Sequence, residues 1–154
     1  MGAAWEGHAE VAKALIGARA DVNAKAKSYD GRTALMQAAR KGHAEIAKAL
    51  IGAGADADVK DNHGRTALMG AAWEGHAEVA KALVGAGADA DVKDNRGRTA
   101  LMQAAEKGHA EVAKELVGAG ADVSVKDREG KTALMRVRNN VELVKLLRKA
   151  ASKE

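Results

Sequence analysis

Residues 61–93 read DNHGRTALMGAAWEGHAEVAKALVGAGADADVK, and most of the remaining chain consists of copies or edited versions of this stretch. The tetrapeptide Thr-Ala-Leu-Met begins at Thr33, Thr66, Thr99 and Thr132, at a constant spacing of 33 residues. A fixed period of this length is typical of repeat proteins, whose units bury an apolar face only by stacking on their neighbours. The sequence therefore predicts a linear stack of similar units.

Each unit carries the start and stop signals of two short helices. Thr66 is a favourable N-cap residue, and the apolar residues after it are spaced as on one helix face until Gly75. A second stripe of the same kind lies between Gly75 and Gly85. The Asp-, Asn- and Gly-rich segment that follows is typical of a tight turn with short extended arms. Each unit is therefore predicted to be a helix, a turn, a second helix and a projecting hairpin.

The motif of the unit is carried by Asp61, Gly64, Thr66, Leu68, Ala71, Ala72, Gly75, His76, Gly87, Ala88 and Asp89. With this pattern the unit resembles an ankyrin repeat, although Ala67 stands where that family usually has proline and Met69 where it usually has histidine. The resemblance covers essentially the whole chain. It implies an all-α ankyrin-repeat solenoid of stacked helix-turn-helix units with short β-hairpin turns.

The period divides the chain into units that together are predicted to form one domain: 1–27, 28–60, 61–93, 94–126 and 127–154. Residues 1–15 are identical to residues 69–83, so the first unit begins inside its first helix. We therefore expect this helix to fray, or its apolar edge to self-associate with another molecule. The last unit is two residues shorter between its helices, which is typical of a C-terminal cap.

The first unit also departs from the repeat at its end. Arg19 occupies the place of Gly54, Gly87 and Gly120. If this place requires a positive φ, the arginine costs about 1 kcal/mol or changes the turn. The hairpin that follows is two residues longer than the later ones, and its tip, which includes Tyr29, is expected to protrude.

Composition limits the class of protein. The chain has 154 residues, 47% of them hydrophobic and 30% charged, which favours a soluble protein of single-domain size. The sequence contains neither an apolar run long enough to span a membrane nor a signal-peptide pattern. Without cysteine, disulfides and Cys-ligated metal are excluded. These features favour a cytoplasmic protein without identifying its compartment.

Candidate catalytic groups are weakly supported. His8, His43, His76 and His109 each precede Ala-Glu, and a His-x-Glu pair can belong to a zinc site. Equivalent residues of stacked helices lie roughly 8–10 Å apart, too far for one metal ion. The histidines are therefore expected to satisfy the loops between helices. The Gly85-Ala-Gly87 sequence follows a helix, whereas a phosphate-binding loop precedes one. We predict no enzymatic activity and no cofactor.

The resemblance places the variable positions on one surface. In ankyrin-like stacks the hairpin tips and the first helices line a concave face, which usually meets the partner. The positions expected to bind a partner are Trp5, Tyr29, Arg32, Arg40, Lys41, His63, Arg65, Trp73, Glu74, Arg96, Arg98, Glu106, Lys107, Arg128 and Lys131. Glu6, Asp30, Asn62, Asn95 and Glu129 vary in the same way. Plain solvent exposure would also tolerate this variation, so both interpretations stay open.

Two features make the binding hypothesis more specific. Trp5 and Trp73 occupy equivalent places and could anchor an interface, or each could pack on the methionine four residues earlier. Arg32, Arg65, Arg98 and Lys131 are predicted to form a basic ladder along the concave side. Such a ladder suits an acidic protein surface better than a phosphate backbone, because the formal charge is only +4 and stacking aromatics are scarce.

The sequence thus favours a non-catalytic protein–protein interaction scaffold that binds a partner with an acidic surface. Near identity between units also fits an engineered or purely structural array without a specific natural ligand. A third hypothesis, an anion or nucleic-acid binder that uses the ladder, predicts an affinity that falls steeply with salt.

Overall fold

The computed structural model describes residues 1–27 and 29–153. These residues contain ten α-helices, which follow one another in five pairs. The helices are α1 Gly2–Glu6, α2 Ala9–Gly17, α3 Ala34–Lys41, α4 Ala44–Gly52, α5 Ala67–Glu74, α6 Ala77–Gly85, α7 Ala100–Lys107, α8 Ala110–Gly118, α9 Ala133–Arg136 and α10 Val141–Ala151. The unit boundary at Ser28 and the last residue of the fifth unit, Glu154, lie outside the described residues.

The helices pack in two rows. The first helices of successive units, α1, α3, α5, α7 and α9, contact one another in order. The second helices, α2, α4, α6, α8 and α10, form a parallel series of contacts, and each unit's two helices also pack together. This arrangement confirms the predicted all-α stack. Within the described part of the chain, every helix is too short or too polar to cross a lipid bilayer.

The core lies between the rows and is built largely from small side chains. Ala71 and Ala72 are completely buried, and Leu68, Met69 and Leu83 beside them are almost as inaccessible. Alanine brings the backbones of neighbouring helices close together, so the larger Leu, Val and Met side chains of the same helices fill the remaining space. The stability of each unit therefore depends on the units that flank it.

Predicted caps fix both ends of α3, α5 and α7, whereas among the described residues Thr132 makes no side-chain cap bond at α9. The Thr66 hydroxyl accepts a hydrogen bond from the Met69 N–H group at 3.4 Å, as an N-cap should. At the other end Gly75 has a φ of 83°. A Cβ atom on Gly75 would also lie 2.6 Å from the His109 ring of the next unit. Gly75 is therefore required both for its backbone conformation and for the approach of the neighbouring histidine.

The histidines bind backbone groups of the preceding unit. Nε2 of His76 lies 3.1 Å from the carbonyl oxygen of Arg40, and Nε2 of His109 lies 3.0 Å from that of Trp73. His43 makes the same contact with the Trp5 carbonyl at 3.2 Å. These three histidines therefore join consecutive units by binding carbonyl groups in the last turn of the preceding unit's first helix, and not groups of the loop as predicted. His8 differs, since its Nε2 lies 2.9 Å from the Glu6 carboxylate. In the described ranges, no group of three or more potential metal ligands occurs.

The projecting segments are tight turns. In the third unit the Asp61 N–H donates to the Arg65 carbonyl at 2.9 Å, and the Asp61 carboxylate accepts the N–H groups of His63 and Arg65. Adjacent turns are joined by a bond from the Asn62 N–H to the Asp30 carbonyl, also at 2.9 Å. The arms are too short to form strands, and no strand occurs among the residues described.

Arg19 adopts the left-handed conformation that its position requires. Its φ is 62°, and the equivalent Gly54, Gly87 and Gly120 have φ values of 86°, 87° and 86°. A side chain is unfavourable in this region because its Cβ atom crowds the carbonyl that follows. This place in the repeat therefore requires a positive φ, in the first unit as in the others.

Replacement of Arg19 by glycine is expected to stabilise the first unit by about 1 kcal/mol, because it removes this steric cost. Urea unfolding followed by circular dichroism measures the change in the free energy of unfolding. Arg19→Ala is the control, since alanine retains the Cβ atom and should leave the stability close to that of the original chain. A gain of equal size in both variants would show that the arginine side chain, and not the backbone conformation, is responsible.

Candidate functional site

Variable residues at the ends of the first helices pair between consecutive units. The Lys41 ammonium lies 3.9 Å from the centre of the Trp5 ring, and the Lys107 ammonium lies 4.5 Å from that of Trp73. Two further neighbours form ion pairs, Arg40 with Glu74 at 3.8 Å and Glu106 with Arg138 at 3.4 Å. In the first three pairs the next-to-last residue of one first helix contacts the last residue of the next first helix, whereas Arg138 follows the end of α9. Part of the variation between units is therefore explained by contacts within the stack.

Three members of the predicted ladder bind carboxylates. Arg65 Nε lies 3.2 Å from Asp61, and Arg98 Nε lies 3.4 Å from Asp94. Arg32 is 3.2 Å from Asp30 and 3.8 Å from Asp61, the buried carboxylate of the next unit. These carboxylates hold the arginine side chains in place.

Lys131 departs from this pattern. Its ammonium lies 3.0 Å from the exposed Glu129 carboxylate, and its side chain is itself exposed. The buried Asp127 of this unit is bound by Arg136, which comes from the following helix. The fourth member of the ladder therefore differs from the three arginines in both partner and burial.

The ladder arginines and one of the tryptophans surround a common pocket of about 100 Å³. Its lining comprises Arg32, Met36, Arg40, Asp61, Arg65, Thr66, Met69, Gly70, Trp73, Arg98 and Gln103. We call this space the Gly70 pocket. Burial, and after it the nearby positive charge of Arg40, lowers the pKa of Arg32 below its ordinary value. The guanidinium groups are therefore crowded together and partly removed from water.

The predicted hairpin-tip residues lie outside this pocket. Tyr29 is exposed, and its ring centre is 5.9 Å from that of His63, whose Nε2 lies 3.2 Å from the Asp30 carboxylate. Arg96, Glu106 and Arg128 line another space, of about 340 Å³, together with Arg98, Glu129 and Arg136. Most of the predicted residues thus lie in three places: the Gly70 pocket, the charged space lined by Arg96, Glu106 and Arg128, and the Tyr29–His63 tip. Trp5 and Lys41 form a separate pair.

Two kinds of residue in the candidate site were not predicted from the sequence. Asp61, Asp94 and Asp127 are buried and orient the basic side chains, although they were treated only as motif residues. Their constant place four residues before Arg65, Arg98 and Lys131 was the available signal. Gly70 was overlooked as well, even though the units on either side have Gln37 and Gln103 at the same place.

Paired helices that stack in two rows and are joined by tight turns define the class of α-solenoid repeat proteins. The family model described as ankyrin repeats (3 copies) matches residues 1–94 and 71–154, and the chain belongs to the ankyrin-repeat family. No curated protein matches the chain. Ankyrin repeats are generally protein–protein interaction modules and typically act as scaffolds without enzymatic activity.

Proposed function

We propose that this chain is a non-catalytic scaffold that binds a protein with an acidic surface through its concave face and hairpin tips. The observation that carries the proposal is the Gly70 pocket, where arginines from three consecutive units meet beside Trp73. Tryptophan and arginine are the residues that most often dominate the binding energy of protein interfaces. Side chains held by buried carboxylates also lose less conformational freedom on binding.

The charge distribution favours a protein over nucleic acid as the partner. Asp30, Glu74 and Glu106 lie beside Arg32, Arg40 and Arg98 at ion-pair distances of 3.2 to 3.8 Å. A phosphate backbone would meet these carboxylates together with the arginines and be repelled by them. A folded acidic surface can place single carboxylates where the guanidinium groups are accessible.

The test uses peptides selected from a random displayed library on the immobilised chain. We expect the selected peptides to be rich in Asp and Glu, and to lose binding at least roughly tenfold in a Trp73→Ala, Arg65→Glu, Arg98→Glu variant. Lys81→Glu combined with Lys149→Glu is the control, because it reverses two charges on the second helices, outside the predicted surface. Equal losses in both variants would mean that net charge alone explains the binding. Unchanged binding in both would exclude this surface.

Self-association through the first unit is a second candidate, favoured by an exposed apolar surface. Val11 and Leu15 on α2 are about half exposed, whereas the equivalent Val79 and Leu83 are buried. In three places along the stack the second-helix lysine of one unit binds the glutamate of the next: Lys13 with Glu45, Lys48 with Glu78 and Lys114 with Glu142. Glu10 in the first unit and Lys145 in the last are exposed at opposite ends, so a second copy could continue this pattern.

Sedimentation velocity across a range of protein concentrations tests this candidate. We expect concentration-dependent association that Leu15→Glu abolishes, because the charge would have to be buried between copies. Lys81→Glu, also on a second helix but within the stack, should leave the association unchanged. A single monomeric species at every concentration would exclude it.

A further inference from the structure

The Gly70 pocket exists because one side chain is missing from the repeat. At the place of Gly70 the fourth unit has Gln103, which donates to the Asp94 carboxylate at 3.5 Å, and the fifth has Arg136, which binds Asp127. A Cβ atom at Gly70 would lie 2.7 Å from Cγ of Arg40. The glycine therefore lets the stem of Arg40 lie against α5 and leaves space beside Asp61 that is filled in the units that follow.

The guanidinium groups around this space have hydrogen-bonding capacity to spare. The side chains of Arg32 and Arg98 are only 12% and 16% exposed. Each guanidinium carries five N–H donors. Four arginines line the pocket: Arg32, Arg40, Arg65 and Arg98. Within the part of the chain that the structure describes, their side chains donate only two hydrogen bonds, from Arg65 to Asp61 and from Arg98 to Glu106. Nε of Arg98 is buried and lacks a hydrogen-bond partner among the same residues.

The carboxylates already present leave these donors available. Asp61 is occupied, since one oxygen accepts the N–H groups of His63 and Arg65 and the other accepts Arg65 Nε. Arg32, Arg40 and Arg98 also form ion pairs, but the carboxylates concerned lie outside the pocket lining: Asp30, Glu74, Asp94 and Glu106. All four guanidinium groups are ion-paired, but among the described residues the lining of the space they face includes only one carboxylate. Their N–H groups that lack a hydrogen-bond acceptor there, such as the buried Nε of Arg98, favour an added one.

We infer that the Gly70 pocket is a carboxylate subsite, which receives the side chain of an Asp or Glu residue of a bound acidic peptide. The carboxylate would accept charge-assisted hydrogen bonds from the arginines, whose planar groups suit two-oxygen acceptors. Met36, Met69 and Trp73 provide an apolar surface for the methylene stem of the ligand. The inference rests on the proposed protein-binding function and deepens it by assigning one position of the partner to one pocket.

The experiment compares two substitutions of the same chemistry. Gly70→Gln introduces the residue found in the neighbouring units and fills the pocket without changing the charge. Gly2→Gln is the matched control, because Gly2 is the equivalent residue of the first unit and a Cβ there meets nothing within 4 Å. The probe is a fluorescently labelled octaglutamate peptide, measured by polarisation at constant ionic strength. Gly70→Gln should weaken binding at least roughly tenfold, and Gly2→Gln by less than about twofold.

Further variants and small anions separate the possible outcomes. Gly70→Ala, which adds a single methyl group, should give an intermediate loss and replaces Gly70→Gln if that variant does not fold. If Gly70→Gln binds the peptide as the original chain does while the Trp73, Arg65 and Arg98 triple variant does not, the subsite is wrong and the proposed function stands. If no variant changes binding, both the subsite and the proposed function fail.

A titration of the arginine Nε–H NMR signals tests the chemistry of the ligand. Glutarate should shift the signals of Arg32 and Arg98 at lower concentration than inorganic phosphate does. The reverse order would overturn the assignment to a carboxylate.

Discussion

Replacement of Leu83 by alanine is expected to reduce the free energy of unfolding by about 3 kcal/mol, whereas the same replacement of Leu15 should cost less than about 1 kcal/mol. Leu83 is 0% exposed and Leu15 is 47% exposed, although each ends the same fifteen-residue sequence. Removing a fully enclosed side chain leaves a cavity between helices, while at Leu15 much of the lost surface already meets water.

Urea unfolding and native-state amide hydrogen exchange measure these two variants. Hydrogen exchange also shows which units lose stability, because units of a stack are coupled mainly to their nearest neighbours. Leu83→Ala should lower protection in the third unit and in the units on either side of it. Equal destabilisation by both substitutions would show that the first unit is covered in solution, as self-association would cause.

Removal of the Asp127 carboxylate is expected to destabilise the last unit by about 3 kcal/mol or more. The Asp127 side chain is fully buried, and it accepts the N–H groups of Glu129 and Lys131 at 2.9 and 3.0 Å. Its other oxygen binds Nε of Arg136 at 2.9 Å, and the Nη2 group as well. Asp127→Ala would leave a largely buried guanidinium and two N–H groups without their acceptor.

The matched control is Glu129→Ala, because Glu129 lies 3.4 Å from the same Arg136 but is largely exposed. Loss of this surface pair should cost less than about 1 kcal/mol. Thermal unfolding of the two variants gives the comparison. A similar small effect in both would mean that the buried bonds of Asp127 contribute little beyond those of a surface pair.

The same carboxylate predicts a pH dependence. Desolvation acts to raise the pKa of Asp127, but the hydrogen bonds from the Lys131 N–H, the Arg136 guanidinium and the Glu129 N–H outweigh it and hold the pKa below its ordinary value. A lowered pKa means that the folded chain binds this proton less readily than the unfolded chain. The stabilisation is therefore complete above about pH 4, the pKa of a free aspartate, and is lost as the pH falls through the folded-state value.

Acid titration of stability checks this sign. The difference in unfolding free energy between the original chain and Asp127→Ala should be constant near neutral pH and shrink below about pH 4. A difference that stayed constant into the acid range would assign the effect of the substitution to packing rather than to the charge.

Local sequence was sufficient for the elements and their ends. The 33-residue period, the Thr66 cap and Gly75 fix a helix and its termination through contacts within a few residues. The unusual backbone at Arg19 could be predicted for the same reason, since a glycine recurs at its place in the other units. These features depend on the chain's own backbone and do not require knowledge of what packs against it.

The candidate site could be predicted only as a set of positions. That Lys41 covers Trp5, or that Arg40 meets Glu74, depends on how one unit is offset against the next. The ladder was predicted as a basic row along the concave side. The sequence did not show that Asp61 and Asp94 hold two of its arginines, because that depends on distances in the folded chain. The Gly70 pocket is formed by side chains from three units around a residue that has none.

The identical stretches 1–15 and 69–83 show which features the local sequence determines and which depend on the neighbouring units. In both, the sequence by itself determines two short helices joined at a glycine with positive φ, Gly7 and Gly75, because backbone sterics and capping act locally. Burial differs at the larger apolar residues, since Leu83 is enclosed by helices on both sides of its unit and Leu15 has a neighbour on one side only. Which apolar residues become core, and which charges become a site, was decided by the tertiary stack, because solvent exclusion and ion pairing depend on what lies across the interface.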